Sequence, residues 1–312
     1  MYQDLKKIRE LVGENPHQKA TLYENEDVPA CSLLRAEKVY GRDLSFNDTV
    51  DTDGALALIR EFKKEEGVTV VTYHHGNPCG VAIGKNSYEA FTKAIKASDA
   101  TSLIEGIVVV NDVVDVDIAK EIANMYLDVL VCINITNEAL EILNKFEQLT
   151  IFKHPNMLNI PTAQKEVKTI MGGCLVQDYN DAVYEELNTI STRKASEEEM
   201  KQMLLAYRVV KHVKTNAIVL AKDDATTGIG PSLNNRIWST MQAIERAGEN
   251  AKGSVLASDA IIPLCESVEI AGKAGVTAII QPGGWFKENE NLEVSERYNM
   301  AMITTGINQF KH

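Results

Sequence analysis

One order of segments occurs twice in this chain of 312 residues. In the first half an apolar, β-branched run from Val68 to Thr72 leads into a turn ending at Gly84. A helix pattern follows over 87–96, and then Gly106-Ile-Val-Val-Val-Asn-Asp112 reads as a strand closed by an acidic turn. In the second half Ala217 to Ala221 leads into a turn ending at Gly228-Ile-Gly230, a helix is expected over 235–247, and Gly253-Ser-Val-Leu-Ala-Ser-Asp259 supplies the strand and acidic turn. Gly84 and Gly230 lie 146 residues apart, and Asp112 and Asp259 lie 147 apart. Each half continues with another helix and another apolar strand, Val129 to Cys132 and Ala278 to Ile280. Buried strands alternating with helices imply βαβ units and largely parallel sheets covered on both faces. The pattern therefore predicts two α/β subdomains of similar topology, over residues 1–160 and 161–312. The segment 153–165, with Pro155, Asn156, Asn159 and Pro161, reads as their connection. Ser196 with Glu199 forms a capping box ahead of a helix over 200–213, and Asp51 or Thr52 is expected to cap the helix carrying Leu56, Ile59 and Phe62.

Charge and composition remove several functional classes. Lys and Arg number 32 against 44 Asp and Glu, a formal net charge of −12 that argues against a broad nucleic-acid surface. An anionic substrate needs a local basic pocket set against that background. No apolar run reaches the length of a membrane span, and Met-Tyr-Gln-Asp-Leu-Lys-Lys at the start lacks a signal-peptide core, so a soluble, cytoplasmic protein is expected. The five cysteines, Cys31, Cys79, Cys132, Cys174 and Cys265, are scattered and include no C-x-x-C pair. They predict buried thiols, with neither a disulfide framework nor a metal site.

Chemistry concentrates in Tyr73-His-His-Gly-Asn-Pro-Cys-Gly80. Two imidazoles sit at the C-terminal end of a buried strand, where open α/β sheets place their ligand crevices. On an extended segment adjacent side chains point to opposite faces, so one histidine is expected to line a pocket while its neighbour braces the fold. Histidine exchanges protons near neutral pH, which suits general acid–base work. The plainer alternative is a surface pair beside a tight turn through Gly76, Asn77, Pro78 and Gly80.

This segment resembles the Lys-His-x-Asn-Pro-Cys-Gly signature of the AICAR transformylase domain, the C-terminal part of a bifunctional purine-biosynthesis enzyme. Further blocks match in the same order: Gly13-Glu-Asn-Pro-His-Gln-Lys-Ala20, Leu44-Ser-Phe-Asn47 with Asp51-Thr-Asp53, Gly173-Cys-Leu-Val-Gln-Asp178, Lys214-Thr-Asn-Ala-Ile218, Ala257-Ser-Asp-Ala260 and Ala274 to Gly284. The resemblance runs essentially end to end. It implies paired cytidine-deaminase-like α/β/α subdomains related by internal duplication. It also implies formyl transfer from 10-formyltetrahydrofolate, as co-substrate, to the 5-amino group of AICAR, and an isologous homodimer with active sites at the interface. Met1 lies just before the first matching block. The chain is thus expected to lack the IMP cyclohydrolase domain, ring closure falling to a separate protein.

By position the resemblance implies His75 as the acid–base histidine and Asn216 as a donor to the developing oxyanion. Asp128 and Asp48 stand beside the acceptor, and Asp259, Ile261, Pro263, Leu264 and Glu266 on the folate side. Departures cluster. His74 replaces a lysine, so activity is expected to need its proton. Leu11-Val12 replaces an Arg-Tyr pair and Asn308 an arginine, all in the pocket for the substrate's phosphate. Asp48 replaces an asparagine, Glu105 a glycine, and Ile261 and Leu264 replace phenylalanines. Two other readings follow from these losses: a paralogue acting on a non-phosphorylated or differently charged acceptor, and a catalytically inert binding or partner subunit on the same scaffold.

Overall fold

The computed structural model describes residues 5–98, 100–161, 165–284 and 286–312. In chain order its strands are β1 (Lys6–Val12), β2 (Lys19–Glu24), β3 (Glu37–Tyr40), β4 (Val68–His74), β5 (Asn77–Gly84), β6 (Gly106–Val114), β7 (Leu127–Ile135) and β8 (Thr150–Lys153). They continue as β9 (Lys165–Ile170), β10 (Gly173–Asp178), β11 (Asn188–Thr189), β12 (Ile218–Lys222), β13 (Ala225–Gly230), β14 (Val255–Ser258), β15 (Ala278–Gln281) and β16 (Ala301–Thr304). The helices are α1 (Phe46–Ile59), α2 (Ser87–Ala97), α3 (Val116–Ile122), α4 (Asn137–Leu143), α5 (Glu197–Val210), α6 (Arg236–Ala247), α7 (Glu266–Lys273) and α8 (Glu288–Arg297).

Twelve strands form one mixed sheet in the order β11-β16-β15-β14-β12-β13-β5-β4-β6-β7-β8-β3. Largely parallel sheets were expected; among the described residues only β6-β7-β8 and β14-β15-β16 pair in parallel. The difference lies in two segments that read as turns. Asn77–Gly84 and Ala225–Gly230 are strands, each folded back antiparallel on the strand before it, and they meet each other at Ala225 and Ala82. Their dense turn formers have other uses. Pro78, paired with Tyr73, sits beside a register shift in the ladder between Thr72 and Tyr73, the kind of irregularity that admits proline in a strand. Gly84 and Gly230 admit a helix against the sheet: a Cβ there would stand 2.4 Å from the Ala90 nitrogen and 2.0 Å from the Ser239 oxygen.

Helices α1 and α5 cover one face of the sheet, packing Leu56, Ile59 and Tyr207 onto it, with Phe62 just past the end of α1. The other face carries Phe91, Ile118 and Leu143 from α2, α3 and α4, and Ala243, Val268 and Val294 from α6, α7 and α8. Cover on both faces agrees with the sequence. Helix α1 starts earlier than expected: Ser45, not Asp51 or Thr52, is its N-cap, in a capping box with Asp48. The Ser196–Glu199 box opens α5 as predicted, with the helix ending at Val210. Of the five cysteines, Cys31 and Cys132 are buried while Cys79, Cys174 and Cys265 are only half-buried.

Three successive antiparallel pairings separate β4 from β12, so the two strands run in opposite directions. The C-terminal end of β4 and the N-terminal end of β12 therefore lie at the same edge of the sheet. That places the histidine pair of one half beside Lys214 to Asn216 of the other.

Candidate active site

The β4–β5 hairpin turns on two residues, His75 and Gly76, with φ of 50° and 74°. Left-handed backbone is unfavourable for a histidine, and it is held there from below. Asp51 of α1, one of the buried carboxylates, accepts the His75 N–H at 2.7 Å and the Gly76 N–H at 2.8 Å. The turn also overrides the expected alternation of the two histidines. Because His75 is left-handed rather than extended, its ring stacks on that of His74, with centroids 3.8 Å apart and planes at 26°.

His74 is anchored by its Nδ1, which donates to the Ser102 carbonyl at 3.1 Å. Burial and the neighbouring His75 ring push its pKa below the ordinary imidazole range. His74 therefore favours its neutral form, whereas the sequence led us to expect that activity needs its proton. A cation does stand nearby. A Cβ on Gly76 would lie 3.0 Å from the Lys214 ammonium, and the Lys214 backbone N–H donates to Asn77 Oδ1 at 3.0 Å.

Two residues on, one N–H of the Asn216 amide donates to the Leu233 carbonyl at 2.8 Å, leaving its second N–H for another acceptor. Below it Asp259 is fully buried. It takes the Thr215 hydroxyl, the Ala217 N–H at 3.1 Å and Arg236 Nη2 at 2.6 Å. Its carboxylate ties together the start of β12, the start of α6 and the loop after β14. Of the other residues that the resemblance puts on the folate side, Ile261 and Pro263 are half-buried and Leu264 and Glu266 exposed.

Arg42 bridges two carboxylates, donating to Asp48 at 2.8 Å and to Asp128 at 2.9 Å. Burial and the charge of Asp48 outweigh the single bond from Arg42 and push Asp128 up to about 6. Glu105, with φ 61°, occupies left-handed backbone ahead of β6. Asn47 Nδ2 donates to the Glu14 carbonyl at 3.2 Å, bringing the Gly13–Ala20 block against the start of α1. Val12 and Asn308 are exposed, and Arg9, the nearest compensating cation by sequence, is paired with Asp43 at 2.6 Å.

The model of the AICARFT/IMPCHase bienzyme family matches residues 2–246, more than three quarters of the chain. The chain belongs to that family. It is 42% identical over 303 residues to the bifunctional purine biosynthesis protein PurH of Bacillus cereus (strain B4264) and of Bacillus anthracis, and equally to that of Bacillus thuringiensis (strain Al Hakam). Each alignment takes in 96% of this chain and 58% of the relative, so the chain spans somewhat over half the length of the curated relatives it matches. A solved structure of Acinetobacter baumannii RibD (form 2) aligns over 33% of each chain at 18% identity with a TM-score of 0.23, too slight a likeness to argue from.

In this AICARFT/IMPCHase chain the site thus gathers His75, His74 and Asn216 at one edge of the sheet, with Asp48 and Asp128 bound to a common arginine. Asp51, Lys214 and Arg42 were not singled out from sequence as site residues. Asp51 and Lys214 lie inside matching blocks, which was the available signal; Arg42 carried none. Among the described residues no group of three His, Cys, Asp or Glu side chains is disposed to hold a metal, and no helix is long and apolar enough to cross a membrane.

Proposed function

We propose that this chain transfers the formyl group of 10-formyltetrahydrofolate to the 5-amino group of AICAR or a closely related aminoimidazole carboxamide, in the purine-biosynthetic step that precedes IMP. The observation that carries this reading is the His75 turn, locked by Asp51 and faced across the sheet edge by Lys214, two residues before Asn216. The amine nitrogen attacks the formyl carbon, and the C=O electrons move onto oxygen. His75 removes the amine proton and returns one to the departing folate nitrogen. The free N–H of Asn216 donates to the oxyanion, and the Lys214 ammonium supplies a fixed positive charge that a neutral His74 does not. Asp48 and Asp128, oriented by Arg42, face the carboxamide. Ile261, Pro263 and Leu264 give the folate an apolar wall with Glu266 at its rim, while Asp259 acts from beneath by holding the loop.

The same reading extends to architecture. The strand order on either side of the β5–β13 seam, with the same parallel and antiparallel pairings in each half, supports two duplicated cytidine-deaminase-like subdomains divided near residue 160. The hairpin β9–β10 exposes Val167, Ile170, Met171, Leu175 and Val176. Val167 and Val176 share one face of the hairpin and Ile170 and Leu175 the other, and with apolar residues exposed on both faces this hairpin is assigned to a homodimer interface that completes the active sites. A cytoplasmic location is part of the proposal. Purified protein incubated with AICAR and 10-formyltetrahydrofolate tests it. Formylated product is expected, and its absence from folded dimer that binds both substrates would exclude the reading.

A further inference from the structure

We propose that a crevice along the seam between the two halves binds a small anion carrying two or more phosphoryl groups, at a site distinct from the acceptor and folate positions above. The crevice has a volume of about 400 Å³, within the range of small-molecule sites. Its lining converges from three places: Lys93 and Lys96 at the end of α2, Lys222 and Asp223 at the β12–β13 turn, and Arg246 in the last turn of α6. Four cations and one carboxylate thus face one cavity in a chain whose formal net charge is −12.

Three of the four cations lack a carboxylate partner among the described residues. Lys93 pairs with Glu89 at 2.9 Å, but Lys222 and Arg246 donate only to the carbonyls of Lys252 and Ile229. Among the described residues no ion pair joins Lys96, Lys222 or Arg246 to a carboxylate. Like charges gathered around a cavity repel one another, and an anion seated between them removes that repulsion. Charges contributed by three separate elements match the spread charge of a di- or triphosphate better than that of a single carboxylate, and Arg246 adds a planar fork suited to phosphate. Ser102, whose carbonyl anchors His74, also lines the crevice, so an occupant would rest against the loop that positions the histidine pair.

The test is isothermal titration of inorganic pyrophosphate into the full chain, beside the Lys96→Ala/Arg246→Ala double variant and a Lys120→Ala control. Lys96 and Arg246 are exposed, so both variants should keep the wild-type circular dichroism; if the double variant does not, Lys96→Glu alone replaces it. Saturable pyrophosphate binding is expected in wild type and control, weakened at least tenfold by the double variant and weakened by added salt. Undiminished affinity in the double variant, no binding to wild type, or citrate binding as tightly as pyrophosphate would each overturn the proposal.

Discussion

Replacing Asp51 probes the link between the fold and the proposed chemistry. Its two oxygens accept the N–H groups of His75 and Gly76 at 2.7 and 2.8 Å in a largely dry setting. A hydrogen bond to a charged group contributes about 1.5–3 kcal/mol, so Asp51→Ala should destabilise the protein by about 3–5 kcal/mol, allowing for incomplete additivity. Asp51→Asn retains one acceptor and sets an amide N–H against a backbone N–H; about 1.5–3 kcal/mol is expected there. Because the left-handed turn sets the direction of the His75 ring, Asp51→Asn should also lower formyl transfer by about 10²-fold, the scale of losing a positioned acid–base group. Urea unfolding gives the stability change, and initial rates measured far below the unfolding midpoint with saturating substrates give the catalytic one. An Asp51→Asn protein with unchanged midpoint and unchanged rate would refute the assignment of this carboxylate as the support of the turn.

Other expectations follow from the same geometry. Lys214→Ala should leave stability within about 0.5 kcal/mol, as for an exposed side chain, while lowering kcat by roughly tenfold or more, with partial recovery in Lys214→Arg; an unchanged kcat would remove Lys214 from the site. Gly76→Ala should cost about 1–2 kcal/mol from its φ of 74° alone, read from its unfolding midpoint. Asp128, raised to about 6, binds more protons folded than unfolded between its ordinary range and that value, so its contribution to stability is lost as pH rises through about 6. Asp128→Asn should accordingly reduce the fall in stability with rising pH over that window relative to wild type, as followed by urea midpoints. With Leu11, Val12 and Asn308 at the expected phosphate positions and Arg9 held by Asp43, AICAR should gain little over its dephosphorylated riboside in calorimetry; a preference of about 10²-fold or more would show that another cation reads the phosphate.

What the sequence revealed and what it hid follow from the range of the forces involved. Apolar β-branched runs at 68–72 and 217–221 and the helix patterns after them are local signals, and the strands and helices lie where they predict. The segments 77–84 and 225–230 were misread because proline and glycine serve turns and close packing alike. Helices α2 and α6, which follow within a few residues and fold back onto these strands, decide between the two uses by packing on Gly84 and Gly230. His75 was visible from its motif, but its stacking on His74 depends on a left-handed φ that a carboxylate 24 residues upstream stabilises. Lys214 reaches the turn only because β4 and β12 end at the same edge of the sheet, a fact of topology that no local pattern encodes. Asp259 illustrates the converse: its motif marked it for the folate side, and burial shows its carboxylate spent on Thr215, Ala217 and Arg236.

The most direct test of the central claim is the rate of formyl transfer from 10-formyltetrahydrofolate to AICAR by wild-type protein and by His75→Ala, each confirmed as folded by circular dichroism. The account predicts turnover by the wild type and a fall of about 10²-fold or more in the variant, with substrate binding largely kept. Wild-type-like turnover by His75→Ala would contradict it and move the chemistry away from the β4–β5 turn.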